Sequence, residues 1–268
     1  MQKISLIIIT CCISLPFFGQ ITDSSSISGK GIFIGREKTL YHTIGNKKIP
    51  LKVIKYMSNT DIVLLCLHDD ETTSVTAAKS VLSRTGGVLL RISNNNTRLI
   101  SFTLGGKKYR FDPNRMFSRV GIRQNLKELN RSYAEAAVLA IEKFAQFLLA
   151  NLPKNTPTLI AIHNNRNGGY SAESYMRGDV YENDIDDHLI HEVQDKDNFL
   201  LTTDKKLFKE LKPSGYNLLL QDNKKAREDG SLSVYYGRKK KSYLNVETEL
   251  GQLEEQVRMI NAVVGALD

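Results

Sequence analysis

Cysteine is scarce in this chain. Three occur in 268 residues, and two of them, Cys11 and Cys12, lie in an apolar run near the start. The remainder keeps only Cys66, so it can form no internal disulfide, and a disulfide-stapled scaffold is excluded. No heptad run, fixed-period repeat or low-complexity tract is visible, which removes coiled coils and solenoids. Beyond the first 20 residues no apolar stretch is long enough for a transmembrane helix. Basic runs occur at Lys107-Lys108, Lys224-Lys225 and Arg238-Lys239-Lys240-Lys241. They lack the interleaved aromatics of a nucleic-acid platform, so nucleic acid is not an expected partner. Such runs read as solvated faces, or as attraction for anionic substrates or an anionic cell envelope.

What is present is an ordinary globular balance: 41% hydrophobic and 25% charged residues, with a formal charge of +8. The length suits one sizeable α/β core rather than two full domains. Lys3, the apolar run from Ile4 to Phe18 and then Gly19-Gln20 have the order of a secretory signal. The division expected is a signal over residues 1–19, a polar segment over 20–30 and a single domain over 31–268. Export, periplasmic or secreted, follows. Ile8-Ile9-Thr10-Cys11 is a poor lipoprotein box, so a lipid anchor is the lesser option. Cys66, inside Ile62-Val63-Leu64-Leu65-Cys66-Leu67, reads as a buried, inert thiol.

Short apolar runs over Ile32-Phe33-Ile34 and Leu51 to Ile54 predict strands. Asp61 to Leu67 has the continuous apolar character of a strand buried on both faces. It leads into Asp69-Asp70-Glu71-Thr72-Thr73-Ser74, a helix start with capping residues and first-turn acids, and Gly86-Gly87 closes that helix. Val88 to Ile92 is the next strand, and Gly105-Gly106 predicts a hairpin between residues 99–104 and 109–111. Tyr133 to Leu152 is a long helix stopped by Pro153. Thr158 to Ile162 is a buried strand ending at His163, and residues 164–197 form a long polar loop. A strand (199–202), a helix (204–211), two strands (217–220 and 243–247) and a closing helix (252–267) complete the pattern. Alternating strands and helices predict an α/β fold, a mainly parallel or mixed twisted sheet covered on both faces. Ligands bind such sheets at the carboxyl ends of the strands. That rule selects His68, His163 and Glu247.

His68 ends one buried strand, Glu71 follows three residues later at a helix start, and His163 ends a second buried strand. Two His and one Glu with an open fourth position form a catalytic zinc set, and the chain lacks the Cys that a closed structural site uses. Each residue also has a plainer reading. Glu71 suits the positive end of a helix dipole, and His68 suits a strand end.

Together the motifs resemble a family. Leu67-His68-Asp69-Asp70-Glu71-Thr72, Asp112-Pro113-Asn114-Arg115-Met116-Phe117 and Ala161-Ile162-His163-Asn164-Asn165 look like the zinc carboxypeptidase superfamily, nearest its aspartoacylase and succinylglutamate desuccinylase branch. That family has H-x-x-E, an Asn-Arg pair, a distant His and a late catalytic Glu, in this order. The resemblance implies one zinc ion per chain held by His68, Glu71 and His163. It also implies that Asn114 and Arg115 grip a substrate carboxylate, chemistry that suits a guanidinium. Arg110 is a looser second contact, and Tyr170, in the polar loop after His163, is another candidate. For the catalytic base, alternation puts Glu247 and Glu249 on one face of a strand. Glu247 ends the strand, whereas Glu249-Leu250-Gly251 resembles the acylase branch's motif, and both stay open.

The activity expected is zinc-dependent hydrolysis of an amide bond, in a peptide or N-acyl amino acid with a free carboxylate. One alternative is zinc-dependent sugar N-deacetylation, whose His-Pro-Asp-Asp-Glu motif is matched here without the Pro. His188-Leu189-Ile190-His191 is its only H-x-x-H. The other alternative is an exported binding protein that retains the pocket without turnover.

Overall fold

The computed structural model describes residues 32–56 and 61–267. The signal over residues 1–19 and the polar segment over 20–30 expected from the sequence lie outside the described residues. Nine strands form one sheet in the order β1-β2-β4-β3-β7-β11-β9-β10-β8, and a separate two-stranded hairpin is built from β5 and β6. The ranges are β1 (Gly35–Ile44), β2 (Lys47–Tyr56), β3 (Val63–Cys66), β4 (Gly87–Ile92), β5 (Ile100–Leu104), β6 (Lys107–Phe111), β7 (Thr158–Asn165), β8 (Ile185–Leu189), β9 (Phe199–Thr202), β10 (Asn217–Gln221) and β11 (Ser242–Glu249). The helices are α1 (Thr72–Thr85), α2 (Arg119–Asn130), α3 (Glu135–Ala150), α4 (Lys205–Leu211), α5 (Leu232–Arg238) and α6 (Leu253–Gly265).

The sheet is mixed. β4, β3, β7 and β11 run parallel, while β2 meets β4, and β9 meets β11, in antiparallel pairs. The central strands carry the continuous apolar runs because helices cover both faces. Alternate residues divide between two cores. Val63, Leu65, Leu159 and Ala161 pack with Ile122, Phe144 and Leu148 of α2 and α3. Leu64, Cys66, Ile160 and Ile162 pack with Leu82, Phe208 and Ile260 of α1, α4 and α6. Cys66 is a fully buried thiol, as its apolar run implies.

Several elements differ from the sequence expectation. Residues 32–34 are not a strand: Ile32 and Ile34 are exposed, and Phe33 instead packs beside α1 and donates its N–H to the Ser83 carbonyl. The first strand is β1, a polar edge strand hydrogen-bonded along β2. β8 lies in the stretch read as loop. Its exposed Asp186, Asp187 and His188 suit the sheet edge it forms beside β10 but hide any apolar alternation. α2 and α5 also escape the pattern, since their buried faces are short; Ser118 and Ser231 cap them. The start of α1 is also different. Its first turn holds no acid, and Glu71 occupies the N-cap position with its carboxylate turned elsewhere.

One close approach fixes a loop that matters below. Gly121 in α2 and Gly230 lie back to back, and a Cβ on Gly121 would stand 2.2 Å from Gly230 Cα. Gly230 has φ +78°, and a Cβ there would meet the Arg115 carbonyl oxygen at 2.6 Å. Both obstacles are backbone, so neither can swing aside. Gly121→Ala should therefore cost about 1–3 kcal/mol, read as a lower thermal unfolding midpoint. An unchanged midpoint would show that this packing is looser than drawn.

Candidate metal and catalytic site

The parallel strands β3, β7 and β11 are neighbours, and their carboxyl ends supply the site. His68 follows β3, Glu71 stands at the turn into α1, and His163 lies on β7 beside its register partner Glu247 on β11. His68 Nδ1 is 2.8 Å from Glu71 Oε1, and His163 Nδ1 is 3.0 Å from Glu71 Oε2. All three side chains are buried. Donor atoms of His68, Glu71 and His163 all lie within 4.8 Å of one another, a group of the kind that holds a metal ion. His163 Nε2 is buried with no hydrogen-bond partner among the described residues.

A second layer holds these groups. His68 Nε2 is 2.7 Å from Asp112 Oδ1, the carboxylate-histidine arrangement that orients a metal-binding imidazole. Asp112 also accepts the Asn114 N–H at 2.7 Å, so one carboxylate links His68 to the turn carrying Asn114 and Arg115. Behind the site, Asn164 accepts the Ser74 N–H at 3.0 Å and donates to Thr248 O and to Gln256 Oε1 at 2.9 Å. This buried amide ties α1, β7, β11 and α6 together, and its donors and acceptor are satisfied.

The electrostatics are coupled. Burial alone would lower the His68 pKa, but the Glu71 and Asp112 carboxylates reverse this and raise it to about 9. Burial alone would raise Glu71, yet His68 and His163 hold its carboxyl well below the usual range. Glu247 goes the other way: burial raises it, His163 opposes the rise, and the negative charge of Glu71 adds to it.

Two cavities meet at this point. One, of about 230 Å³, has Asn114, Arg115, His163 and a wall of tyrosines around it. The other, of about 450 Å³, includes Asp70, Glu71 and Asn165. Arg98, Tyr170 and Glu247 line both. Glu247 accepts a hydrogen bond from Asn245 Nδ2 at 3.1 Å and is 6% exposed. Glu249 lines neither cavity; its carboxylate accepts from Gln252 Nε2 at 2.7 Å.

Arg115 donates to Asp229 at 2.6 Å, and Asn114 Oδ1 accepts the Leu232 N–H at 3.1 Å. Together with the Gly121–Gly230 approach, these contacts clamp two distant chain segments into one wall. Tyr170 is half-buried, its hydroxyl on that of Tyr175, and desolvation raises its pKa well above the usual value. Arg110 is not at the site. It is exposed on the β5–β6 hairpin, where its guanidinium reaches the Leu129 carbonyl. Its position on β6 turns it to solvent because its neighbours Tyr109 and Phe111 take the buried side. His188 is exposed on β8 and His191 follows it; neither lines the two cavities.

The sequence reading missed Arg98, whose Nη1 donates to Glu71 Oε1 at 2.9 Å. Its loop follows β4 and is pinned by Asp69, which pairs with Arg91 and accepts the N–H groups of Asn94 at 2.6 Å and Asn96 at 2.9 Å. The signal was available, since this loop leaves the carboxyl end of a parallel strand. Asp69 itself is thus a loop anchor rather than a helix-start acid. Asp229 carried no local signal, being more than 100 residues from the Arg115 it faces.

No family model matches the chain, and no curated protein matches it. Solved structures similar to it include a candidate metallopeptidase from Shewanella baltica OS155, at 12% identity and a TM-score of 0.42, covering 87% of this chain and 86% of that one. An aspartoacylase family protein from Mesorhizobium loti is 12% identical with a TM-score of 0.44, over 87% of this chain and 67% of that one. A succinylglutamate desuccinylase/aspartoacylase from Rhodobacter sphaeroides is 13% identical with a TM-score of 0.43, over 86% of this chain and 64% of that one.

Proposed function

We propose that the chain is an exported zinc-dependent hydrolase of amide bonds, with residues 31–268 as one hydrolase domain behind a signal over 1–19. The observation that carries this reading is the meeting of His68, Glu71 and His163, with His163 and a buried Glu247 lining the cavity that Asn114 and Arg115 also line. Two imidazoles and a carboxylate form a borderline-soft donor set that suits zinc and leaves a fourth position free. His68 Nδ1, the Glu71 carboxylate and His163 Nδ1 would hold one ion. The chemistry zinc supplies in such a set is polarisation of a carbonyl and acidification of water.

The remaining work belongs to the protein. Glu247, kept basic by burial, takes a proton from the attacking water and returns it to the leaving amine. Arg115 and Asn114 orient a substrate through its free carboxylate, and the Asp229 contact fixes the guanidinium before substrate arrives. Arg98, which lines both cavities, places a positive charge where the carbonyl oxygen gains negative charge. Tyr170 closes the wall between the two cavities. Peptides and N-acyl amino acids with a free carboxylate are the substrates this arrangement fits. Among the described residues no helix is long and apolar enough to cross a membrane.

The test is a matched pair of substrates, an N-acyl amino acid or dipeptide and its C-terminal carboxamide. Hydrolysis of the free acid, stopped by a chelator and restored by zinc, supports the reading. Arg115→Lys should raise KM for the acid by about tenfold or more while leaving the poor carboxamide little changed. Equal turnover of acid and amide by the unaltered protein would sink the carboxylate clamp.

A further inference from the structure

A third cavity, of about 850 Å³, lies around the start of β11, the end away from Glu247. Two turns frame it. The first follows β10, where Asp222 accepts the N–H groups of Lys224 at 2.9 Å and Lys225 at 3.0 Å. The second follows α5, where Lys240 adopts φ +54° and Lys241 donates its N–H to the Tyr236 carbonyl at 3.0 Å. Arg238 ties the two together, donating to the carbonyls of Asn223 at 2.7 Å, Ala226 at 2.8 Å and Lys224. The packing between them is tight: a Cβ on Gly237 would stand 2.3 Å from Asn223 Oδ1.

Lys205, Lys224, Lys225, Arg238, Lys240 and Lys241 line this cavity with three aspartates. The aspartates are engaged. Asp186 pairs with Lys205 at 2.7 Å, Asp222 with Lys225 at 3.4 Å, and Asp204 caps α4 through the N–H groups of Lys206 and Leu207. The ammonium groups of Lys224, Lys240 and Lys241 have no carboxylate partner among the described residues. Like charges normally spread apart. Here backbone hydrogen bonds hold the two turns, so these lysines leave the chain around one cavity, and their exposed ammonium groups can converge on an anion there. A monocarboxylate answers one ammonium, whereas a multivalent oxyanion answers several at once.

The geometry points to a binding site for a multivalent phosphate-bearing anion at the end of β11 away from Glu247, with Gln221 the one lining residue shared with the Arg115 cavity. A ligand here tethers or regulates the protein without entering the cavity that contains Glu247.

Calorimetric titration of the full chain with tripolyphosphate at low salt tests this. One site per chain is expected, with affinity falling as salt rises. Lys224→Gln/Lys240→Gln/Lys241→Gln should weaken binding by about tenfold or more, with an unchanged unfolding midpoint because all three side chains are exposed. Lys107→Gln/Lys108→Gln, on the distant β5–β6 hairpin, should bind as the unaltered protein does. The metal ligands are common to all three proteins, so chelation of metal by tripolyphosphate cancels in the comparison. Sedimentation with anionic phospholipid vesicles separates the sources. Binding to tripolyphosphate alone assigns a soluble phosphate, binding to vesicles alone assigns a lipid headgroup, and binding to both assigns the phosphate group on either carrier. No binding to either, or an equal loss in the Lys107/Lys108 variant, overturns the proposal.

Discussion

Glu247→Gln should lower kcat for amide hydrolysis by about 10²–10⁴-fold, the range for removing a general base, or roughly 3–5 kcal/mol of barrier. The change keeps the side chain's size and its contact with Asn245, so it removes proton acceptance with little else. Zinc content should stay at the unaltered level. The pH profile gives an independent reading. The Glu247 carboxyl is raised above the ordinary glutamate value by burial, with His163 opposing and Glu71 reinforcing. The base works only when ionised, so kcat/KM should fall on the acid side at a pH above that ordinary value. Glu249→Gln should change kcat by less than about threefold, because Glu249 lines neither cavity and holds Gln252. If Glu249→Gln abolished turnover and Glu247→Gln did not, the assignment would be reversed.

His163→Ala should reduce bound zinc from about one ion per chain to near none. A three-ligand set reduced to two protein ligands loses most of its affinity. The same loss is expected for His68→Ala. Protons compete for this site, and the sign can be worked out. Zinc binds neutral imidazole, while in the metal-free protein Glu71 and Asp112, overcoming burial, hold His68 protonated up to about pH 9. Zinc binding below that pH must expel the proton, so apparent affinity should rise with pH by up to about tenfold per unit until pH 9 is reached, then level off. Asp112→Asn removes a carboxylate from His68 Nε2 and should weaken zinc binding by about 10–100-fold. A zinc affinity that is flat between pH 7 and 9 would contradict the coupled His68–Glu71–Asp112 arrangement.

Much of the site was legible because the fold places chemistry at strand ends. The buried runs before His68 and His163 are continuous apolar segments, a pattern that suits a strand covered on both faces, and they form adjacent parallel strands. The same rule led to Glu247, and the course of the cavities, which Glu247 lines and Glu249 does not, is what favours it as the proposed base. Arg98 was missed although its loop leaves the carboxyl end of a parallel strand; which residue of that loop turns inward depends on the Asp69 anchor. Arg110 was misplaced because proximity in sequence to Asn114 does not survive the turn at Asp112. β8 and α2 were missed through their polarity, one at a sheet edge and the other with a narrow buried face. Asp229 was beyond reach, since its meeting with Arg115 depends on two glycines from distant segments packing back to back.

The most direct test of the central claim is the metal content of the purified protein, with His68→Ala and His163→Ala beside it. The site geometry predicts about one zinc per chain in the unaltered protein, absent from both variants. Zinc that is neither present nor taken up by the unaltered protein, or that persists undiminished in both variants, would contradict it.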